Sequence, residues 1–261
     1  MPAEGPIPDD EFRRTVHCCL QHIHLIYKHE GFSLPREQAE SWFVNKLWGF
    51  INTMFDSEGH LDHQPGEVSS QSSSLRKNRG RTLDEKQLSG RKTDGLISAA
   101  VTRLEICTLE AAKKDNGASS TKELSDTRKM AKNMKDMSDL IRSKSVGCIY
   151  QHLATYGIRL SGATITFYSL RKRPGRFCQL CVESSISFPA IWTKVTTKTI
   201  LSVLGSLLAF KKELYRTAEL ITDVTSIPPD APLPPNSDDL FVETLTTPAH
   251  SPRLSQRALL N

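Results

Sequence analysis

From Thr93 to Leu220 the hydrophobic pattern switches between the period of a strand and the period of a helix. That alternation confines the chain to a mixed α/β domain, because each kind of element must bury its apolar side against the other. Thr93 to Ala100 and Arg103 to Ala111 read as two short strands, with β-branched content from Val101, Thr102, Ile106 and Thr108. Thr121 to Lys144 reads as a helix. Leu124, Ala131, Met134, Met137 and Ile141 form its apolar stripe, with Lys129, Lys132 and Lys135 on the other side. Gly157 to Leu170 and Phe177 to Ser184 read as a hairpin around the turn Arg171-Lys172-Arg173-Pro174-Gly175-Arg176. There Pro fixes φ and Gly supplies a positive one. Thr196 to Leu220 reads as a last amphipathic helix.

Upstream, Val16, Cys19, Leu20, Ile23, Ile26 and Tyr27 recur at helical spacing, so Asp9 to Glu30 is expected to be helical and to stop at Gly31. Pro35 suits the first turn of a second helix reaching about Phe55. The expected fold class is therefore α/β, a small mixed sheet flanked by helices. Residues 1–8 read as a disordered N-terminus, 9–56 as N-terminal helices and 90–221 as the α/β core. Residues 57–89 hold Gly59, Pro65, Gly66 and a Ser/Gln run with few apolar side chains. Burial there cannot offset the entropy of ordering, so a disordered basic insertion is expected. Residues 222–261, with Pro228-Pro229, Pro232 and Pro234-Pro235, read as a disordered acidic tail.

The net charge of +5 is unevenly placed. Between Leu75 and Lys92, seven basic residues face Asp84 and Glu85, an excess equal to that of the whole chain. A basic middle suits a polyanion, DNA or RNA, and equally suits a solvated loop. No run reaches the roughly 18 apolar residues of a membrane span, so no membrane partner is expected. The acidic, proline-bearing N-terminus lacks the pattern of a signal peptide. Six cysteines are too few for a stapled scaffold, and an intracellular place, nucleus or cytoplasm, is expected. No glycine-rich phosphate loop supports a nucleotide-dependent enzyme. Cys178-Gln179-Leu180-Cys181 has knuckle spacing but sits in an expected strand without a second pair, which argues against zinc.

One pair of residues carries chemistry. Asp94 lies near the start of one expected strand and Glu110 near the end of the next, so a hairpin would bring them side by side. Two close carboxylates repel, and a divalent cation relieves the repulsion. Mg²⁺ accepts one or two carboxylates and completes its octahedron with water and phosphate oxygen. The plain alternative is a turn aspartate and a surface ion pair.

The strand–strand–helix order with Asp94, then Glu110 in Leu109-Glu110-Ala111-Ala112-Lys113, resembles the PD-(D/E)XK nuclease-like superfamily, and more narrowly a group of fungal proteins within it. The closer likeness rests on Glu40-Ser41-Trp42-Phe43 with Leu47-Trp48, on Gly90-Arg91-Lys92-Thr93-Asp94-Gly95, on Glu105 and Glu110, and on Leu124-Ser125-Asp126 with Lys132 to Met137. It covers roughly residues 36 to 56 and 90 to 220. The resemblance implies a restriction-endonuclease-like fold, metal-dependent phosphodiester hydrolysis, and metal-holding acids at Asp94, Glu110 and Glu40. It also implies a lysine two residues after the second acid. That position is Ala112; Lys113 follows it, and Lys92 sits two residues before Asp94. These two lysines are the sequence candidates for polarising water and phosphate. The misplaced lysine equally suits a catalytically inactive nuclease fold acting as an interaction or effector-like module, with the Pro-rich tail engaging a protein partner. Arg91, Lys129, Lys132, Lys135, Arg171, Lys172, Arg173 and Arg176 are the candidates for contacting nucleic-acid phosphates.

Overall fold

The computed structural model describes residues 9–31, 33–34, 38–55, 59–82, 84–112, 121–145, 153–173, 177–195 and 197–225. The expected disordered N-terminus, 1–8, lies outside them, as does the expected tail of 222–261 from 226 onward; its first four residues, 222–225, are instead the last turn of a helix, where Thr222 and Thr225 hydroxyls donate to carbonyls of the preceding turn. Helix α1 spans Asp9–His29. The second expected helix is broken into α2 (Glu40–Trp42), a π-helical turn (Phe43–Leu47) and α3 (Phe50–Phe55). Next come β1 (Leu61–Ser69), α4 (Gln71–Asn78), β2 (Lys92–Ala99), β3 (Glu105–Ala112) and α5 (Thr121–Lys144). The chain continues as β4 (Ala154–Ser161), β5 (Thr164–Lys172), β6 (Cys178–Ser187) and α6 (Thr197–Thr225).

The six strands form one sheet in chain order. Every neighbouring pair is antiparallel except β3 and β4, which run parallel because α5 carries the chain back between them. Helices α1, α3 and α6 pack together on one side, and α4 and α5 on the other. The larger core fills the first side, with Tyr27, Leu47, Trp48, Phe55, Phe167, Leu207 and Leu214 buried. The smaller one joins Met130 and Met134 of α5 to Tyr168 and Leu170 of β5. Gly157 allows that second contact. A Cβ there would lie 2.7 Å from Met130 Sδ and 3.0 Å from Met134 Sδ, so glycine lets α5 settle against β4.

Two expectations need correction. The stretch read as one strand from Gly157 to Leu170 is the turn-linked pair β4 and β5, so the hairpin is a three-stranded meander. The residues 57–89 read as a disordered insertion contain β1 and α4. Apolar burial contributes little, with Leu61 the one buried apolar side chain among their described residues; hydrogen bonds do most of the ordering. β1 is an edge strand, largely exposed, and tolerates Pro65 at a bulge between Pro65 and Val68. At the head of α4, Ser70 accepts the Ser73 N–H at 3.2 Å as an N-cap. The buried carboxylate of Glu105 accepts from Ser70 Oγ at 2.8 Å, Gln71 N at 2.6 Å and Ser72 N at 3.1 Å. A register slip makes this possible. Ile97 pairs with Cys107 but Ser98 pairs with Glu105, which leaves one extra residue on β3. Without that bulge, strand alternation would put Glu105 with Cys107 and Leu109 on the other face.

Candidate functional site

The register sets the site. The β2–β3 ladder ends with Gly95 opposite Leu109, which leaves Asp94 just past its last rung, near the end of β3 that carries Glu110. Asp94 Oδ2 accepts the Ala111 N–H at 2.8 Å. Glu110 is 3% exposed and points toward α5, where Lys129 Nζ lies 2.5 Å from its Oε2. Its other oxygen, Oε1, is buried and has no hydrogen-bond partner among the described residues. Thr93 stands close, yet its hydroxyl faces the Leu109 carbonyl at 2.5 Å and Thr108 Oγ1 at 2.7 Å. Asn133 Nδ2 donates to Thr108 Oγ1 at 3.1 Å and fixes that hydroxyl from the α5 side.

The electrostatics follow from this packing. Burial pushes the Glu110 carboxyl up from 4.5 to about 7, the ammonium of Lys129 pulls against that rise, and the charge of Asp94 adds to it. A carboxyl poised near neutrality, with one oxygen unsatisfied and a second carboxylate alongside, is short of positive charge. Its donor set is hard oxygen, of the kind that suits Mg²⁺ or Mn²⁺. Among the described residues no group of three or more His, Cys, Asp and Glu stands together as a metal cluster.

The other expected site residues fall elsewhere. Lys113 and Arg176 lie outside the described residues. Ala112 ends β3 half-buried. Lys92 is exposed, and its ammonium sits 2.5 Å from Glu67 on the neighbouring edge strand rather than on Asp94. Lys92 in turn holds the Glu67 carboxyl below its ordinary range. Glu40 opens α2, whose Trp42 packs against the larger core, in the layer across the sheet from α5. Arg91 turns inward and donates to the Lys129 carbonyl at 2.7 Å. Lys135 pairs with Asp139 one turn on, at 2.6 Å. Lys132 is half-buried. Arg171 lies 3.8 Å from Glu183, Arg173 Nε donates to Gln179 Oε1 at 2.6 Å, and Lys172 is half-buried on β5.

Lys129 is the residue that sequence reasoning misplaced. Lys129, Asn133 and Asp136 stand at i, i+4 and i+7, so they share one stripe. Asn133 is fully buried and Asp136 is 2% exposed. A polar stripe running beside the methionine face was the signal that this lysine looks toward the sheet. Comparison of the chain with protein-family models, curated proteins and solved structures found no match.

Proposed function

We propose that this chain is a restriction-endonuclease-like domain that hydrolyses phosphodiesters of nucleic acid with a divalent cation. Asp94 and Glu110 would hold the cation, and Lys129 would take the part the family pattern gives to a lysine two residues after the second acid. The single observation that carries this reading is the state of Glu110: a buried carboxylate with the charge of Asp94 near it, the Lys129 ammonium on one oxygen, and on the other no hydrogen bond of good geometry among the described residues, Thr93 standing nearest. The architecture supports it as well. Three antiparallel strands, a helix and a fourth strand parallel to the third bring Asp94 of β2 to the end of β3, with Glu110 turned toward the helix.

A bound Mg²⁺ would lower the pKa of a coordinated water and stabilise charge on the phosphoryl oxygens. The protein's own groups do the rest. Asp94, held by the Ala111 N–H, keeps a fixed position. Lys129 is 39% exposed in its side chain, so it can turn from Glu110 toward a phosphate oxygen once a cation takes over neutralising the carboxylate. The β2 and β3 backbones keep the two acids in register.

A second reading has its own observation. Lys129 already satisfies one oxygen of Glu110, and Ala111 satisfies one of Asp94, an arrangement that also suits a nuclease fold retired to an interaction role. The test is direct. The full chain is incubated with Mg²⁺ or Mn²⁺ and plasmid DNA, single-stranded DNA and RNA. Metal-dependent cleavage that disappears in Asp94→Asn, Glu110→Gln and Lys129→Met supports hydrolysis. Absence of cleavage on every polynucleotide favours the interaction role.

A further inference from the structure

Next to the paired acids, the layer made by α4 and α5 gathers cations in a way the fold alone does not require. Arg76 Nε on α4 lies 2.8 Å from Oδ1 of Asp136 on α5, whose side chain is fully buried. One residue on, Lys77 Nζ donates to the Ser89 carbonyl at 2.8 Å. Arg91, just before β2, donates to the carbonyl of Lys129. Each of the three is half-buried, so each has part of its surface open to solvent. Lys77 reaches Ser89, two residues before Arg91, and Arg76 and Arg91 both reach α5, so the three side chains line the seam between α4 and α5.

Three like charges therefore border one seam, Arg76 on the buried Asp136 and the other two on neutral carbonyls. Holding cations together in a half-buried setting costs free energy that a solvated charge run would avoid. They are also held on rigid elements. A Cβ on Gly90 would lie 1.8 Å from the Ser70 carbonyl oxygen, so the segment carrying Arg91 is pressed against the head of α4. Glu105 anchors the same head from below. Arg91 grips the main chain of the very residue whose ammonium lies on Glu110.

We propose that Arg76, Lys77 and Arg91 form a phosphate-binding notch between α4 and α5, which takes a backbone phosphate of a nucleic-acid strand flanking the one presented to Asp94 and Glu110. The inference rests on the proposed nucleic-acid reading of the site, but it concerns binding and does not need turnover. The notch reads no bases; it fixes the register of the strand against the acids, as phosphate contacts do.

The experiment is fluorescence anisotropy of the full chain with labelled single-stranded DNA, duplex DNA and single-stranded RNA, in EDTA, over a series of salt concentrations. Wild-type protein binds at least one of these. Lys77→Gln/Arg91→Gln weakens that binding at least about tenfold. Each lost contact lowers the slope of log affinity against log salt by about 0.7 to 0.9. Lys77→Gln alone, at a partly exposed position, supplies the same readout should the double variant lose its cooperative thermal unfolding. Unchanged affinity and slope in Lys77→Gln and in any folded double variant overturn the notch, even in a protein that cleaves DNA. No binding by the wild type overturns it too. Binding that depends on Lys77 and Arg91 in a protein that cleaves nothing leaves the notch standing and removes the hydrolase reading alone.

Discussion

Lys129 and Glu110, on α5 and β3, meet through an ammonium and a carboxylate oxygen 2.5 Å apart, with the carboxylate side chain 4% exposed and the lysine 39%. The pair is asymmetric: the acid is committed to the interior, and the base can leave. Removing the base strands the acid. Lys129→Met is expected to destabilise the fold by about 1.5 to 3 kcal/mol at pH 8, where the wild-type Glu110 is mostly ionised and the variant must either bury that charge unpaired or take up a proton. At pH 5, where Glu110 carries its proton, the loss shrinks. Urea unfolding at the two pH values measures it. In the hydrolysis assay the same variant should lose about 100-fold or more in rate.

Glu110 also sets a pH dependence. Its carboxyl titrates near 7 in the folded chain and near 4.5 when unconstrained. Between those values the native state keeps a proton that the unfolded chain has released. The contribution is therefore fully present below about pH 4.5 and is lost as pH rises through about 7. The slope is about 1.4 kcal/mol per pH unit and the total about 3 to 4 kcal/mol at most. Glu110→Gln removes the titrating group, so its stability measured against wild type should rise from pH 5 to pH 8. A parallel pair of pH profiles would show that Glu110 titrates normally.

Glu105 has a different job from Glu110 on the same strand. It anchors α4 by accepting from Ser70 Oγ, Gln71 N and Ser72 N. Glu105→Ala leaves those buried donors without their acceptor and is expected to cost about 3 kcal/mol or more. Amide hydrogen exchange should quicken first in α4, with β4 and β5 still protected. Equal acceleration in all three would mean that α4 is not separately held.

Gly157→Ala tests the seat of α5. The added methyl meets both Met130 and Met134 sulfur atoms, and thioethers can move only so far in a filled layer. A loss of about 1 to 3 kcal/mol in stability is expected. The same push should shift Lys129 and weaken metal binding, which thermal melts with and without Mn²⁺ would register as a smaller stabilisation by the ion.

Much of the architecture could be read from hydrophobic period. The helix Thr121–Lys144 has the expected bounds, and Asp94 and Glu110 fall on neighbouring strands as the spacing suggested. What escaped did so for physical reasons. β1 is an exposed edge with Pro65-Gly66 in it, so it needs no alternating apolar face. α4 is ordered by a carboxylate 35 residues away from its N-cap, an interaction with no local signature. A bulge decides which face Glu105 takes, and strand periodicity cannot reveal a bulge. The lysine at the site comes from a helix because its neighbours Asn133 and Asp136 are buried polar groups, and a count that sorted residues only into apolar and charged put Lys129 toward solvent.

The most direct measurement is Mn²⁺ binding to the full chain at pH 8, read from the electron paramagnetic resonance signal of the free ion. One ion per chain is expected, with binding lost in both Asp94→Asn and Glu110→Gln and weakened about tenfold for each unit that pH falls below 7. No stoichiometric ion, or an ion held as tightly by both variants as by the wild type, would contradict a site built on these two carboxylates.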